Sequence, residues 1–129
     1  MLKVHRDRAA SVTAAFPEVP NNSWYQIVEP RKDGTIAAFK ARQPEGHSCL
    51  VNGGVYLVEP AELRGLTWPD AGQISLEDEI LPALVEEGRR IIGYVASGRF
   101  IDIGLPADYT AASELLAHLP PVVYHPKGF

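Results

Sequence analysis

The sequence predicts an α/β or α+β chain in which hairpins are mixed with helices. Apolar runs of strand length at 11–16, 49–58 and 90–96 alternate with helical patterns near 75–88 and 106–118. Residues 24–40 read as a β-hairpin around a tight turn. The chain has 129 residues, enough for one domain with one modest core.

A short helix is expected over 2–10, with Leu2 and Arg6 on one side. Its apolar content is thin, so it needs a partner to be stable. Ser11 to Phe16 reads as a strand stopped by Pro17, which has no N–H for a ladder. Pro20-Asn21-Asn22-Ser23 is a turn. Trp24 to Glu29 and Thr35 to Lys40 are the hairpin strands, joined by Arg31-Lys32-Asp33-Gly34. A loop follows over 43–48. Cys49-Leu50-Val51 and Val55 to Val58 form one strand interrupted by Gly53 and Gly54. Glycines there suit a bulge, or the close approach of another backbone or a ligand.

Residues 60–74 hold a short helix or turn around Ala61-Glu62-Leu63, then a polar loop. Ser75-Leu76-Glu77-Asp78 is a capping box in which Asp78 stands for the usual glutamate. The helix it opens meets Pro82, presents Ile80, Leu81, Leu84 and Val85 to the core, and ends at Gly88. Arg90 to Ala96 is a strand, and Gly98 turns the chain into a further strand, Phe100-Ile101-Asp102-Ile103. The last helix spans about 106–118, with Pro106 in its first turn and Tyr109, Ala112, Leu116 and Leu119 at helical spacing. Pro120-Pro121 stops it, leaving 120–129 as an edge strand or a loose tail.

Sixteen acidic and twelve basic residues are dispersed, with a formal charge of −4. No basic stripe suggests nucleic acid. Nothing resembles a signal peptide and no apolar stretch would cross a bilayer, so a cytoplasmic protein is expected. The single cysteine, Cys49, lies in an apolar run and reads as a small hydrophobe. His5, His47, His118 and His125 lack the spacing of a zinc helix, and no serine sits in a nucleophile elbow.

Five positions carry candidate chemistry. Asp102 lies between Ile101 and Ile103 and faces away from them in a strand. It either holds a ligand or metal at the sheet end or caps a neighbouring turn. One aspartate makes no strong Mg²⁺ site without further ligands or substrate phosphates. Asn52 precedes the two glycines, and its amide bonds either a polar ligand or the local backbone. Lys40 and Arg42 close the third strand, as phosphate partners or as solvated charge. Glu77 either faces a cleft or favours the positive end of its helix dipole. No glycine-rich phosphate loop occurs anywhere.

Three motifs in order resemble the sugar-phosphate nucleotidyltransferases, the nucleotide-diphosphate-sugar pyrophosphorylases. The likeness leans toward their mannose-1-phosphate or heptose-1-phosphate guanylyltransferase branch. Val51-Asn52-Gly53-Gly54-Val55-Tyr56 is similar to the family's Ile-Asn-Ala-Gly-x-Tyr. Ser75-Leu76-Glu77, with Pro82 after it, matches Ser-Leu-Glu. Phe100 to Tyr109 is similar to Phe-Ile-Asp-Ile-Gly-Thr-Pro-x-Asp-Tyr. The resemblance covers about 1–118 and implies a partial, Rossmann-like nucleotidyltransferase sheet.

It also implies a reaction of a nucleoside triphosphate with a sugar 1-phosphate, giving an NDP-sugar such as GDP-mannose, and pyrophosphate, with Mg²⁺. Asp102 would bind the metal. Asn52, Gly53, Gly54 and Glu77 would line the sugar site and Arg42 the phosphate. Residues 1–119 would be the C-terminal sugar-binding portion and 120–129 a tail. Four departures stand against the pattern: Trp24-Tyr25-Gln26 replaces Arg-Tyr-Gly, Ala41 replaces a glutamate, Arg42 a lysine and Leu105 a threonine. The family's glycine-rich loop and first metal aspartate have no counterpart in this sequence. The isolated chain is therefore expected to be inactive, working with a partner that supplies the nucleotide-binding half. The alternative is a non-catalytic binding or assembly module that pairs with itself.

Overall fold

A computed structural model describes residues 1–20, 27–40, 48–64, 73–104 and 106–119. Helix α1 (Leu2–Asp7) leads into β1 (Val12–Val19). Strands β2 (Ile27–Pro30) and β3 (Ile36–Lys40) form the expected hairpin. Then come β4 (Cys49–Leu50), β5 (Tyr56–Val58) and α2 (Pro60–Arg64). A π-helical turn (Leu76–Ile80) runs into α3 (Leu81–Glu86). Strand β6 (Ile91–Ala96) and α4 (Pro106–Ala117) complete the chain. The expected turn at 21–23, the segment Trp24-Tyr25-Gln26, the positions Ala41, Arg42 and Leu105, and the 120–129 tail lie outside the described residues.

β1 is the central strand. β6 pairs with it in parallel on one side, from Val12↔Ile91 to Pro17↔Ala96. β4 and β5 lie in line along its other side, both antiparallel to it. Val12, Ala14 and Phe16 point to one face of β1. There they meet Val28 and Ile36 of the hairpin and Ile80, Leu81 and Leu84 from the helical side. Phe16, Leu81 and Leu84 are among the largest fully buried side chains. Each contributes about 1.5–3 kcal/mol by leaving water, which is why the apolar spacing read over 80–85 is realised as a packed helix face. The hairpin is tied to this sheet at both ends, by a bridge from Ile27 to Val51 and another from Thr35 to Ile92.

The chain passes through Pro17 where the sequence pattern predicted a stop, and β1 ends only at Val19. Alternation explains this. Ala15 directs both its N–H and its C=O toward the β4–β5 side, to Val55 and Gly53. Pro17 shares that parity, and its carbonyl accepts from the Val51 N–H at 3.1 Å. Its missing N–H therefore faces the interruption between β4 and β5, where the ladder lacks a regular partner.

The cap at Ser75 also differs in detail. Ser75 Oγ accepts from the Asp78 N–H at 3.0 Å, as a capping box requires. The return bond comes from Glu79, whose Oε1 accepts the Ser75 N–H at 2.9 Å, and not from Asp78. The first turn is wide, with the Ile80 N–H reaching back to the Ser75 carbonyl, so the side chain four residues on closes the box. Pro82, which has no N–H to continue a regular helix from the cap, follows this turn directly.

One expectation near the C-terminus is overturned. Residues 100–103 form no strand, and Ile103 is exposed. The Asp102 side chain bonds the Gly104 N–H, a local turn that competes with a ladder. The apolar spacing on α4 does not mark a packed face. Ala112 is buried, while Tyr109, Leu116 and Leu119 are 65%, 64% and 56% exposed. Cys49 is half-buried in β4. No helix among the described residues is long and apolar enough to cross a membrane.

α1 is held to the sheet by one buried residue, His5. Its Nδ1 lies 2.8 Å from Thr13 Oγ1 and its Nε2 lies 3.2 Å from Glu59 Oε1. Thr13 is fully buried in β1, so its hydroxyl depends on this histidine. His5→Ala is expected to cost about 1–3 kcal/mol in denaturant unfolding, because it strands a buried hydroxyl. Glu59→Ala, at a side chain more than half exposed, is expected to cost about 1 kcal/mol or less. Equal losses in the two variants would contradict this assignment.

Candidate functional site

The break between β4 and β5 builds the site. Ladder pairs Glu18↔Leu50 and Ala14↔Tyr56 flank it, so Ala15, Phe16 and Pro17 stand opposite the longer stretch Val51 to Val55. Three backbone bonds pin the excess chain: Val51 N–H to Pro17 O at 3.1 Å, Gly53 N–H to Ala15 O at 3.0 Å, and Ala15 N–H to Val55 O at 2.9 Å. Gly53 lies so close to β1 that a Cβ there would stand 2.8 Å from Pro17 Cδ and 2.9 Å from Ala15 O. The glycine thus answers to a neighbouring backbone, one of the readings the sequence left open. Gly54 has φ +68° with open space around it, so glycine is favoured there by conformation alone.

This bulge folds Asn52 back toward β5. Asn52 Oδ1 accepts from the Gly54 N–H at 3.1 Å and lies 2.7 Å from Tyr56 Oη. The same hydroxyl lies 2.7 Å from Glu77 Oε1. Glu77 reaches it from the first turn of the π-helical segment, which the Ser75 cap starts beside β5. Asn52 and Glu77, both singled out in the sequence, are therefore joined through one residue that was not. Tyr56 stood in the quoted Asn52 motif, and its place two residues past the glycines was the signal.

The network has unequal donors and acceptors. Tyr56 has one proton for two acceptor oxygens. Burial, and then the Glu77 carboxylate beside it, push the phenol well above its ordinary value. Among the described residues, Asn52 Nδ2 is buried and has no hydrogen-bond partner. An orphaned amide donor of this kind fits an acceptor oxygen on a polar ligand. The cluster places an amide donor, a phenol hydroxyl and a carboxylate side by side.

Asp102 takes part in none of these hydrogen bonds. Its Oδ1 accepts from the Gly104 N–H at 2.9 Å, which is the capping reading, and the residue is exposed. No group of three or more His, Cys, Asp or Glu residues that would hold a metal occurs among the described residues. Asp102 alone supplies too few oxygens for Mg²⁺, which needs about six. Arg42 lies outside the described residues.

No family model matches the chain. Mannose-1-phosphate guanylyltransferase of Mycobacterium tuberculosis is 27% identical over 114 residues, covering 88% of this chain and 31% of that protein. Mannose-1-phosphate guanylyltransferase catalytic subunit beta of Danio rerio is 32% identical over 110 residues, covering 84% and 29%. Glucose-1-phosphate adenylyltransferase of Desulfitobacterium hafniense is 28% identical over 131 residues, covering 90% and 31%. The chain thus spans about a third of the length of the curated relatives it matches. Among solved structures, HddC from Yersinia pseudotuberculosis superimposes with a TM-score of 0.69 at 20% identity, covering 89% of this chain and 48% of that one. A second HddC structure, complexed with GMP-PN, gives the same values. The fold is accordingly a partial nucleotidyltransferase fold, a mixed sheet with flanking helices.

Gly53→Ala is expected to destabilise by about 1–3 kcal/mol, because the Cβ has only backbone and a rigid ring to displace. Gly54→Ala is expected to cost about 1 kcal/mol, the strain of a left-handed alanine. Thermal unfolding of both variants checks the order. Tyr56 supplies a pH signature. Its proton is held more tightly in the folded chain, so the folded state binds more protons above pH ~10, where a free tyrosine ionises. Stability is expected to be intact below that pH and to fall as pH rises above it, with a shallower fall in Tyr56→Phe.

Proposed function

We propose, from the chain's homology to part of the sugar-1-phosphate nucleotidyltransferases, that it carries the sugar 1-phosphate site of such an enzyme. The observation that supports this most is the Asn52–Tyr56–Glu77 network with its unpaired Asn52 donor. Asn52 and Glu77 bind sugar hydroxyls, with Gly53 and Gly54 shaping the space beside them. Arg42 meets the sugar phosphate through its planar guanidinium. Asp102 contributes one carboxylate to a Mg²⁺ ion whose other ligands come from substrate phosphates and from residues beyond this set. Bound there, the ion would offset phosphate charge. The relatives named for mannose 1-phosphate and guanylyl transfer favour mannose 1-phosphate and GTP as the pair, hence GDP-mannose as the product. The setting on this reading is cytoplasmic.

Transfer of a nucleotidyl group is mostly the placing of charge around phosphates. The sequence has no glycine-rich phosphate loop, and this portion turns over only beside a nucleotide-binding half. A second reading has its own support. The exposed Tyr109 and Leu116 on α4, with Leu119 just after it, suit an assembly module that pairs with itself or with that half.

Titration calorimetry with mannose 1-phosphate, with and without Mg²⁺, separates the two readings. Binding at millimolar ligand or better is expected, weakened about tenfold in Asn52→Ala, the worth of roughly one hydrogen bond. Pyrophosphate release from GTP by the chain alone is expected to be absent. No heat with any sugar 1-phosphate at millimolar concentration would leave the assembly reading in place.

A further inference from the structure

We infer that Tyr56 is the positioning residue of this site: its hydroxyl fixes the Asn52 carboxamide so that Nδ2, and not Oδ1, is the group left for a ligand oxygen. The inference rests on the sugar 1-phosphate reading only for the ligand's identity. A carboxamide is nearly symmetric in shape, so packing alone distinguishes its two ends poorly. Hydrogen bonds must choose. At Asn52 two donors meet the oxygen, the Gly54 N–H at 3.1 Å and the Tyr56 hydroxyl at 2.7 Å. Together they occupy both lone pairs of Oδ1. Among the described residues Nδ2 is left buried and unpartnered. A ligand oxygen that reaches Nδ2 gains a hydrogen bond and displaces none, so its acceptor is read against a donor already set in place.

Tyr56 also ties this choice to Glu77. The phenol lies 2.7 Å from both Asn52 Oδ1 and Glu77 Oε1 but has a single proton. When the proton points to Asn52, the amide is held with its donor outward. When it points to Glu77, Oδ1 faces a bare oxygen and keeps only the Gly54 bond. A ligand accepting from Nδ2 therefore favours the first arrangement and releases a Glu77 oxygen for a ligand hydroxyl. One donor and one acceptor presented side by side suit adjacent oxygens of a sugar ring.

The test compares the wild-type chain with Tyr56→Phe, which keeps the ring that packs against the core. The first readout is the Asn52 side-chain amide pair in nitrogen-15 NMR, identified by its loss in Asn52→Asp, and it needs no ligand. In Tyr56→Phe the pair is expected to shift and to exchange with water faster. Glu77→Gln keeps an acceptor for the phenol and is expected to leave the pair nearly in place. The second readout is calorimetry with mannose 1-phosphate, where Tyr56→Phe is expected to bind about tenfold more weakly. An unchanged amide pair in a folded Tyr56→Phe overturns the inference. A pair that moves while the wild-type chain binds no sugar phosphate supports it and overturns the ligand reading instead.

Discussion

A proline in the middle of the central strand is the constraint on which the site depends. β1 is paired on both sides, and a residue without an N–H is costly there unless the missing donor faces a gap. In this chain the gap is the Val51–Val55 bulge. Pro17 keeps one bond on that side, as acceptor from Val51, and its ring presses against Gly53. The bulge sends Asn52 back onto β5 and within reach of Tyr56. Strand, bulge and polar network form one chain of cause. A regular β4–β5 strand would satisfy more of the ladder, and it would place Asn52 on a pleated face with its amide spread away from Tyr56.

What was legible in the sequence was local. The hairpin at Asp33-Gly34 declared itself through turn chemistry, and Asp33 accepts from Thr35 twice, through N–H and Oγ1. The apolar face of α3 followed from spacing, and the Ser75 cap from its motif. What was missed depends on partners far along the chain. Whether Pro17 ends a strand is decided by the bulge opposite it. Whether Phe100 to Ile103 extends as a strand is decided by competition with the Asp102–Gly104 turn. Apolar spacing on α4 says which residues share a face and not whether anything covers them. At the site, Asn52 and Glu77 were found by motif, but the residue joining them was passed over as an ordinary strand tyrosine.

The two motif groups differ in how firmly the fold holds them. Asn52, Tyr56 and Glu77 are anchored by a capped helical turn, a strand and a pinned bulge, so the side chains start near one another without a ligand. Preorganisation of this kind lowers the ordering cost that binding must overcome. Asp102 sits on an exposed turn held by its own Gly104, between β6 and a helix that leaves Tyr109 and Leu116 exposed.

That contrast fits a division of labour. Recognition of a neutral, hydroxylated ring needs donors and acceptors at fixed positions, which a bulge and a helix start provide. Control of phosphate charge needs several charged groups held against repulsion, and among the described residues no acidic cluster for a cation is assembled. On the proposed reading, Asp102 gains its geometry only when phosphates and a second carboxylate share the same ion. The exposed side chains of α4 lie just after that turn in the chain, so an element packing on them would order the Asp102 segment as it docked. On that reading, sugar recognition belongs to the bulge and the helical turn packed beside it, and charge placement belongs to this portion together with its complement.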